Sequence, residues 1–513
     1  MQKPVLLHCE DNSGSSWKKY FAGFNCQTAP PHEITGPLVR WGNIQGTDNR
    51  DLTLNRKESL VNALNREKAL QFLRLNRIRQ PKITVPTPSS PYPLVARHLH
   101  PRESNRDRII YSYAEVARIK ADFFVQYIPT LRDYKAWVFD AKVFYLEKKV
   151  PVVSNTSLWL STPSEQYEPV PVNLDSDTEK ACLLAVKATH LLGLDFAKVR
   201  LCVDMKNRPV VLDVNPVPNP HPEASPKLVQ LIKKRLLARQ HRPASGEIWL
   251  GADPEFILRN KDNGNLIYPS HFIQKDGLFG YDERSERREG RLYPLAEIRP
   301  TPDTCPLRLT EKIRHSLQYG VTRIPYKNVE WLAGSIHYNR YQIGGHIHFS
   351  GVELSSALLR ALDNYLAIPV SLIEDREAAV KRRKQYGGLG NIRNKPHGGF
   401  EYRTLGSWLV SPEITRATLC LALLVAYEHH SLKRDFFQSY EMQRAFYKGQ
   451  SEKFYELFPL LWEDIKQTHT YWKYEKELQI IPDMISRRET WDEQQDIRMK
   501  WRLEIPGMSW FKS

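Results

Sequence analysis

The run Trp249-Leu-Gly-Ala-Asp-Pro-Glu-Phe-Ile-Leu258 sets two carboxylates, Asp253 and Glu255, two residues apart between apolar flanks. In an extended strand, residues i and i+2 point to the same face, so such a pair aims two functional groups into one cavity. Three more stretches of the second half repeat the pattern. They are Glu297-Ile-Arg299 after Tyr293-Pro-Leu-Ala296, His346-Ile-His348 within Ile343-Gly-Gly-His-Ile-His-Phe349, and Glu401-Tyr-Arg403 within Phe400-Glu-Tyr-Arg-Thr-Leu405. A fifth pair, Asp213-Val-Asn215, lies in the first half. One alternating pair reads as a half-solvated strand. Four in one domain, three with acidic residues and one with two histidines, point to a shared site.

Hard cations such as Mg²⁺ take several oxygen ligands from separate elements and often complete their shell with a substrate's phosphates. Asp253, Glu255, Glu297 and Glu401 supply such oxygens, and His346 or His348 adds a nitrogen ligand or a hydrogen bond to phosphate. Arg299 and Arg403 would neutralise charge developing on a transferring phosphoryl group. Gly344-Gly345 would let backbone approach a ligand closely. The basic, glycine-rich segment from Arg376 to Gly399, with Tyr386-Gly-Gly-Leu-Gly390 at its centre, has two readings: a loop that folds over phosphates, or a solvated surface segment.

At 513 residues the chain is too long for one ordinary core, so two domains, or three, are expected. The hydrophobic share of 41% and the aromatic share of 11% are those of a globular protein. Lys and Arg number 74 against 58 Asp and Glu, a formal net charge of +16 that favours anionic partners without choosing among them. Six scattered cysteines (Cys9, Cys26, Cys182, Cys202, Cys305, Cys420) form no CxxC pair, which fits free thiols in a cytoplasmic setting. No apolar run reaches membrane-span length and no signal-peptide core opens the chain, so no membrane partner is expected.

An α+β pattern runs through the first half. Residues 5–7, 38–41, 123–128, 136–139 and 209–215 read as strands, with a hairpin turn at Asp140-Ala141. Residues 57–79 read as one helix with Leu60, Leu64, Leu70, Leu73 and Leu75 on its apolar side, and 178–192 as another. Five prolines between Pro81 and Pro93 mark a connector. The proline-rich stretch 215–226, a basic helix over 227–239 and Pro243-Ala-Ser-Gly246 place a domain boundary near 244, giving domains 1–244 and 245–513. Beyond it come the strands with polar pairs, then helices from about 354 onward.

Gly251-Ala-Asp-Pro-Glu-Phe256, Glu297-Ile-Arg-Pro300, Gly344-Gly-His-Ile-His348, Tyr386-Gly-Gly-Leu-Gly390 with Arg393, and Glu401-Tyr-Arg403 resemble the motif series of phage and bacterial carboxylate–amine ligases of the glutamine synthetase and glutamate–cysteine ligase superfamily. The resemblance spans roughly residues 246–412. It implies a glutamine-synthetase-like antiparallel sheet or partial barrel with a helical C-terminal part, and an ATP- and Mg²⁺- (or Mn²⁺-) dependent reaction. In that reaction a carboxylate becomes an acyl phosphate that an amine attacks. It also implies that Asp253, Glu255, Glu297, His346 and Glu401 hold the cations. His348 and Arg393 fall to ATP phosphates, and Arg403 to the phosphoryl group or substrate carboxylate. Glu297, Arg299, Arg393 and Arg403 form the catalytic set, with Arg376 and Tyr386 as further nucleotide contacts.

Residues 1–220 resemble an ATP-grasp domain. The resemblance rests on Arg40-Trp-Gly-Asn43, on Tyr127-Ile-Pro129 with Asp133-Tyr-Lys-Ala-Trp-Val-Phe139, and on Leu192-Gly-Leu-Asp-Phe196 leading to Leu212-Asp-Val-Asn-Pro216. It implies Mg²⁺ on Asp213 and Asn215, and nucleotide contacts from Lys135 and from Arg97, the latter in place of a lysine. Two departures stand out. Arg200 occupies the place of the family's earlier metal aspartate, and His98 to Arg106 lacks the glycines of the nucleotide loop. Two alternatives stay open: a non-catalytic domain that still binds a substrate, or a second ligase centre making the protein bifunctional. Two other classes compete for the whole chain. A metal-dependent hydrolase would use HxH with carboxylates, though no HExxH or third placed histidine supports it. A nucleic-acid binder, or a ligase with a nucleic-acid-linked acceptor, has only the net charge in its favour. The expected substrates are a small molecule or peptide bearing a carboxylate and an amine.

Overall fold

The structure is a computed structural model that describes residues 6–9, 38–41, 52–99, 107–150, 166–216, 218–219, 221–240, 246–288, 290–395 and 398–507. The chain divides into two compact units, 1–243 and 244–513. Both mix α and β structure, and most of their sheets are antiparallel. The expected boundary residue 244, Gly42-Asn43, Cys26 and residues 100–106 of the glycine-free loop lie outside the described residues.

In the first unit, β1 (Leu6–Cys9), β2 (Leu38–Trp41) and β3 (Leu52–Leu54) form a parallel sheet. The helix read over 57–79 is two helices, α1 (Lys57–Leu64) and α2 (Arg66–Leu75). They break at Asn65, which adopts extended φ/ψ and accepts a hydrogen bond from Lys68 N through its side chain. An asparagine that caps the following helix cannot also continue the preceding one. Next, β4 (Ile83–Thr84), β5 (Leu94–Arg97), β6 (Arg108–Ile110) and β7 (Phe123–Gln126) make a sheet of order β4-β7-β5-β6.

The main sheet of this unit comprises β8 (Thr130–Phe139), β9 (Lys142–Lys149), β10 (Tyr167–Pro169), β11 (Phe196–Asp204) and β12 (Pro209–Asn215). All are antiparallel, in the order β10-β9-β8-β11-β12. The β8–β9 hairpin turns at Asp140 and Ala141, both at positive φ, the twist that matches a two-residue connection. Tyr134, Ala136, Val138, Val199 and Leu201 fill one face, packed against α3 (Ser176–Leu191), whose start is fixed by a capping box from Asp175. Asp133, Lys135, Trp137, Lys198 and Arg200 alternate with them onto the other face. The basic helix α4 (Ala224–Gln240) closes the unit's chain.

The second unit begins with β13 (Trp249–Ala252) and β14 (Glu255–Asn260), and these belong to different sheets. Asp253-Pro254 is the crossing, and proline has no N–H with which to continue a ladder. β15 (Leu266–Ile267), β16 (Phe279–Tyr281), the hairpin β17 (Glu286–Arg288)–β18 (Gly290–Leu292) and β19 (Leu295–Ile298) follow. Helix α5 (Pro306–Arg323) was not anticipated among the strands. Its signal was there, in Pro306 at the first turn and Leu309, Ile313, Leu317 and Val321 buried at four-residue spacing. After it come β20 (Val329–Leu332), β21 (Ile336–His337), β22 (Tyr341–Gln342) and β23 (Ile347–Ser350).

A helical run over Ser356–Ile373 has the length and hydropathy of a membrane span, yet 89% of it is buried inside the structure. Its middle turn, Leu362–Ala367, is π-helical and carries the buried Asp363. Helix α6 (Arg376–Arg383), β24 (Ile392–Asn394) and β25 (Phe400–Tyr402) then complete two antiparallel sheets. One has the order β13-β23-β25-β24; the other has β15-β14-β19-β16, with β20 also on β14. The core between strands and helices holds Phe256, Phe279 and Trp331, with Trp331 at 5.2 Å from each phenylalanine ring. Such contacts add about 0.5–1.5 kcal/mol each beyond burial. Helix α7 (Pro412–Glu428) is buried on all sides from Ala417 to Ala426 and forms the centre of the helical part.

Candidate functional site

The two sheets of the second unit meet where residues 253–255 run beside 344–346. Asp253 N donates to His346 O at 3.4 Å and Glu255 N to Gly344 O at 2.9 Å. Every expected cation ligand of this unit gathers at that seam. Across the first sheet, Gly251, His348, Glu401 and Arg393 stand in one register row. Across the second, Glu255 faces Glu297. The polar pairs therefore lie at strand ends as much as within strands: Asp253, Arg299, His346 and Arg403 each sit just outside one.

Asp253, His348 and Glu401 each present a ligand atom within 4.8 Å of the other two. His346 joins them, its Nδ1 lying 3.1 Å from Asp253 Oδ1 and 3.2 Å from Glu401 Oε1. The Tyr386 hydroxyl is 2.8 Å from His346 Nε2. When Nε2–H donates to that hydroxyl, Nδ1 becomes a lone pair directed at two carboxylates, an arrangement that a cation completes. His348 Nε2 approaches Asp253 Oδ2 at 3.1 Å.

The glycines of this site make room for its own side chains. A Cβ on Gly344 would lie 2.2 Å from His346 Nε2, and one on Gly251 would press on His348 Cβ at 3.3 Å.

Glu255 is fully buried. Its Oε2 accepts from Gly344 N at 2.7 Å and from Arg284, while Oε1 has no hydrogen bond among the described residues. Glu401 is equally buried, with Arg403 Nε and Lys395 Nζ at 2.9 Å and Arg393 Nη1 at 3.6 Å, yet neither carboxylate oxygen has an aligned donor among the described residues. Buried acceptors without aligned donors are rare and costly, so these oxygens fit Mg²⁺ or Mn²⁺. Burial would raise the Asp253 carboxyl, but the His346 and His348 rings beside it hold it well below the usual range. Burial and the neighbouring Asp253 work against ionisation of Glu401, but His346, Arg403 and Lys395 prevail and lower it. Glu297 goes the other way: burial, with Asp253, Glu255 and Asp282 close by, pushes it up to about 9 despite its bond to Arg299.

Arg299 also donates to Lys275 O and Tyr281 O, which fixes it beside Glu297. Tyr386 is enclosed by three guanidiniums, those of Arg284, Arg382 and Arg403, at 5.2–5.3 Å from its ring. Arg376 is not brought to the site. It is exposed, and its side chain lies beside Gly449. Its segment is no simple loop, because Asp375 caps Ala378 N and starts α6. Arg284, Asp282 and Lys395 escaped the sequence reading: Asp282 and Arg284 are two residues apart but lie in the polar run Asp282-Glu-Arg-Ser-Glu-Arg-Arg288 without apolar flanks, and Lys395 belongs to no such pair. The same holds for Arg382, fully buried and donating to the carbonyls of Ile343, Thr404 and Leu405, which ties the lead-in of β23 to the exit of β25.

In the first unit, Asp213 stands directly opposite Arg200 and accepts from Arg66 Nε at 3.0 Å. Arg66 also grips Asp107, and buried Arg97 lies between Asp107 at 3.1 Å and Leu212 O at 2.8 Å. Two unit charges 4 Å apart at an effective dielectric of 20 interact by about 4 kcal/mol. The Arg66 guanidinium on Asp213, with Arg200 as its register partner, thus opposes a divalent ion at Asp213 and Asn215. Arg97 is enclosed rather than directed at a ligand, and Lys135 Nζ lies 3.4 Å from the centre of the Tyr167 ring.

Residues 250–503 match the family described as phage phiEco32-like COOH.NH2 ligase-type 2. The match runs through nearly the whole second unit, and it makes the chain a carboxylate–amine ligase. No curated protein matches it. Among solved structures, D-alanine–D-alanine ligase from Bacillus anthracis is 13% identical at a TM-score of 0.35, over 46% of this chain and 96% of that one. The ATP-grasp ligase PsnB complexed with minimal precursor is 11% identical at 0.32, over 47% and 100%. Scores this low carry no weight, and the first unit stands on its own residues.

Proposed function

We propose that the second unit joins a carboxylate to an amine through an acyl phosphate, using Mg²⁺ held at the seam, in the manner of the glutamine synthetase and glutamate–cysteine ligase superfamily. The observation that carries the reading is the set of buried Glu255 and Glu401 oxygens without aligned donors, beside Asp253, His346 and His348. Asp253, Glu255, Glu297, Glu401 and the histidines would hold the cation. Bound there, it supplies charge neutralisation for the phosphates during transfer.

The chain's own cations do the rest. Arg393, with a side chain 46% exposed at the end of the register row, would bind the nucleotide phosphates. Arg403 is held on the Tyr386 face, where it stabilises the three equatorial oxygens of the phosphoryl group in flight. The substrate carboxylate oxygen attacks the terminal phosphorus and ADP departs. The amine nitrogen then attacks the acyl carbon, inorganic phosphate leaves, and the ammonium proton is lost to solvent. The substrates are a small molecule or peptide carrying these two groups.

The test is phosphate release and new amide mass across a panel of amino acids and polyamines with ATP. Turnover is expected only with Mg²⁺ or Mn²⁺ and a matched carboxylate–amine pair; full turnover in EDTA would overturn the reading.

A further inference from the structure

The second face of the β10-β9-β8-β11-β12 sheet carries more charge than a structural surface needs. Around Asp213, the cations Arg66, Arg97, Lys135, Lys198 and Arg200 meet the carboxylates Asp107, Asp133, Glu147 and Asp213. Arg66 and Arg97 hold Asp107, Arg66 also holds Asp213, Arg200 holds Asp133 at 2.9 Å, and Lys135 stands opposite Glu147, which His221 also contacts at 2.9 Å. Lys198 is left over. Its ammonium has no hydrogen bond or ion pair within contact distance among the described residues, and burial lowers its pKa against the attraction of Asp213 and Glu147. A half-buried ammonium with no hydrogen-bond acceptor is unfavourable in the free protein.

Its register neighbour on β8 is Trp137, and directly paired residues share a face. Trp137 is only 3% exposed, and its indole N–H also lacks an acceptor among the described residues. Lys198 Nζ lies 5.8 Å from the Trp137 ring. Two donors without acceptors thus stand side by side, one of them charged, next to Arg200.

We propose that this face binds the carboxylate of a ligand directly, through the Lys198 ammonium and the Trp137 indole N–H beside Arg200, with no divalent cation. One ammonium and one indole N–H match the two oxygens of a carboxylate better than a polyphosphate, and Arg66 on Asp213 takes the place a metal would need. A ligase of carboxylates has an evident use for a second carboxylate-holding site, for substrate or for product.

The test uses the full chain with ¹⁵N-labelled tryptophan in EDTA, titrated with succinate and, separately, with pyrophosphate. Succinate is expected to shift one indole N–H resonance, absent in Trp137→Phe, and Lys198→Met should weaken its binding at least tenfold. Glu401→Gln should leave that binding unchanged, which places it away from the seam. Lys198→Met should also raise the thermal midpoint of the ligand-free protein by a few degrees, since the desolvation of that ammonium outweighs its attraction to Asp213 and Glu147. The proposal falls if succinate shifts no indole in EDTA. It falls equally if the shift needs Mg²⁺, if pyrophosphate binds more tightly than succinate at this resonance, or if Lys198→Met leaves affinity unchanged or lowers the midpoint.

Discussion

The Tyr386 hydroxyl touches His346 Nε2 at 2.8 Å, so the imidazole that faces Asp253 and Glu401 on one edge is held by a phenol on the other. Partners of this kind fix ring orientation and tautomer, and losing one costs about 10–100-fold in metal affinity or activity. Tyr386→Phe should therefore weaken Mn²⁺ binding by roughly that factor with the melting profile unchanged. Direct Mn²⁺ titration by electron paramagnetic resonance checks it, and wild-type affinity would make the contact incidental.

Glu255→Gln and Glu401→Gln should each reduce ligation by on the order of 10²-fold or more, because phosphate repulsion is then uncompensated in a site that works by positioning and charge. Circular dichroism should show both variants folded. Near-wild-type turnover in either would make the seam carboxylates structural.

The double change Asp213→Asn with Asn215→Ala should leave the ligation product unaltered, since Asp213 is engaged by Arg66 rather than free to hold a cation. Mass spectrometry of the products decides it. Accumulation of an intermediate with one amide fewer would establish a second ligase centre in the first unit.

Glu493 gives the pH prediction. Burial pushes its carboxyl from 4.5 up to about 7, although Ser335 N at 2.8 Å and Trp491 Nε1 at 3.1 Å both donate to it. The protonated acid is thus the form the folded state prefers. Its stabilisation is complete below about pH 4.5 and is lost as the pH rises through 7, amounting to roughly 3 kcal/mol at most. Glu493→Gln keeps an acceptor for both donors. It should raise the unfolding midpoint in urea at pH 8, change it little at pH 4.5, and flatten the profile between.

The four polar pairs were legible because strand periodicity and chemistry coincide in them, and the structure brings all of their carboxylates and histidines to one seam. Their counter-charges were not legible. Arg284 and Arg382 reach Glu255 and the Ile343 carbonyl, which are distant in sequence, and Lys395 meets Glu401 across the β24–β25 turn; no periodic signal marks such contacts. The split of residues 57–79 at Asn65 turned on one side-chain cap competing with leucine spacing, and the cap prevailed. Helix α5 carries a clear four-residue repeat through Leu309, Ile313 and Leu317, a period that strand pairs two residues apart do not display.

The crossing at Asp253-Pro254 has a mechanical consequence. Two residues apart in sequence, Asp253 and Glu255 answer to different sheets, so an ion gripping both would rivet one sheet to the other. Breathing of the seam and occupancy of the ion then become a single equilibrium: loading should slow amide exchange in β14 and β23 together, and whatever loosens either sheet should release the ion.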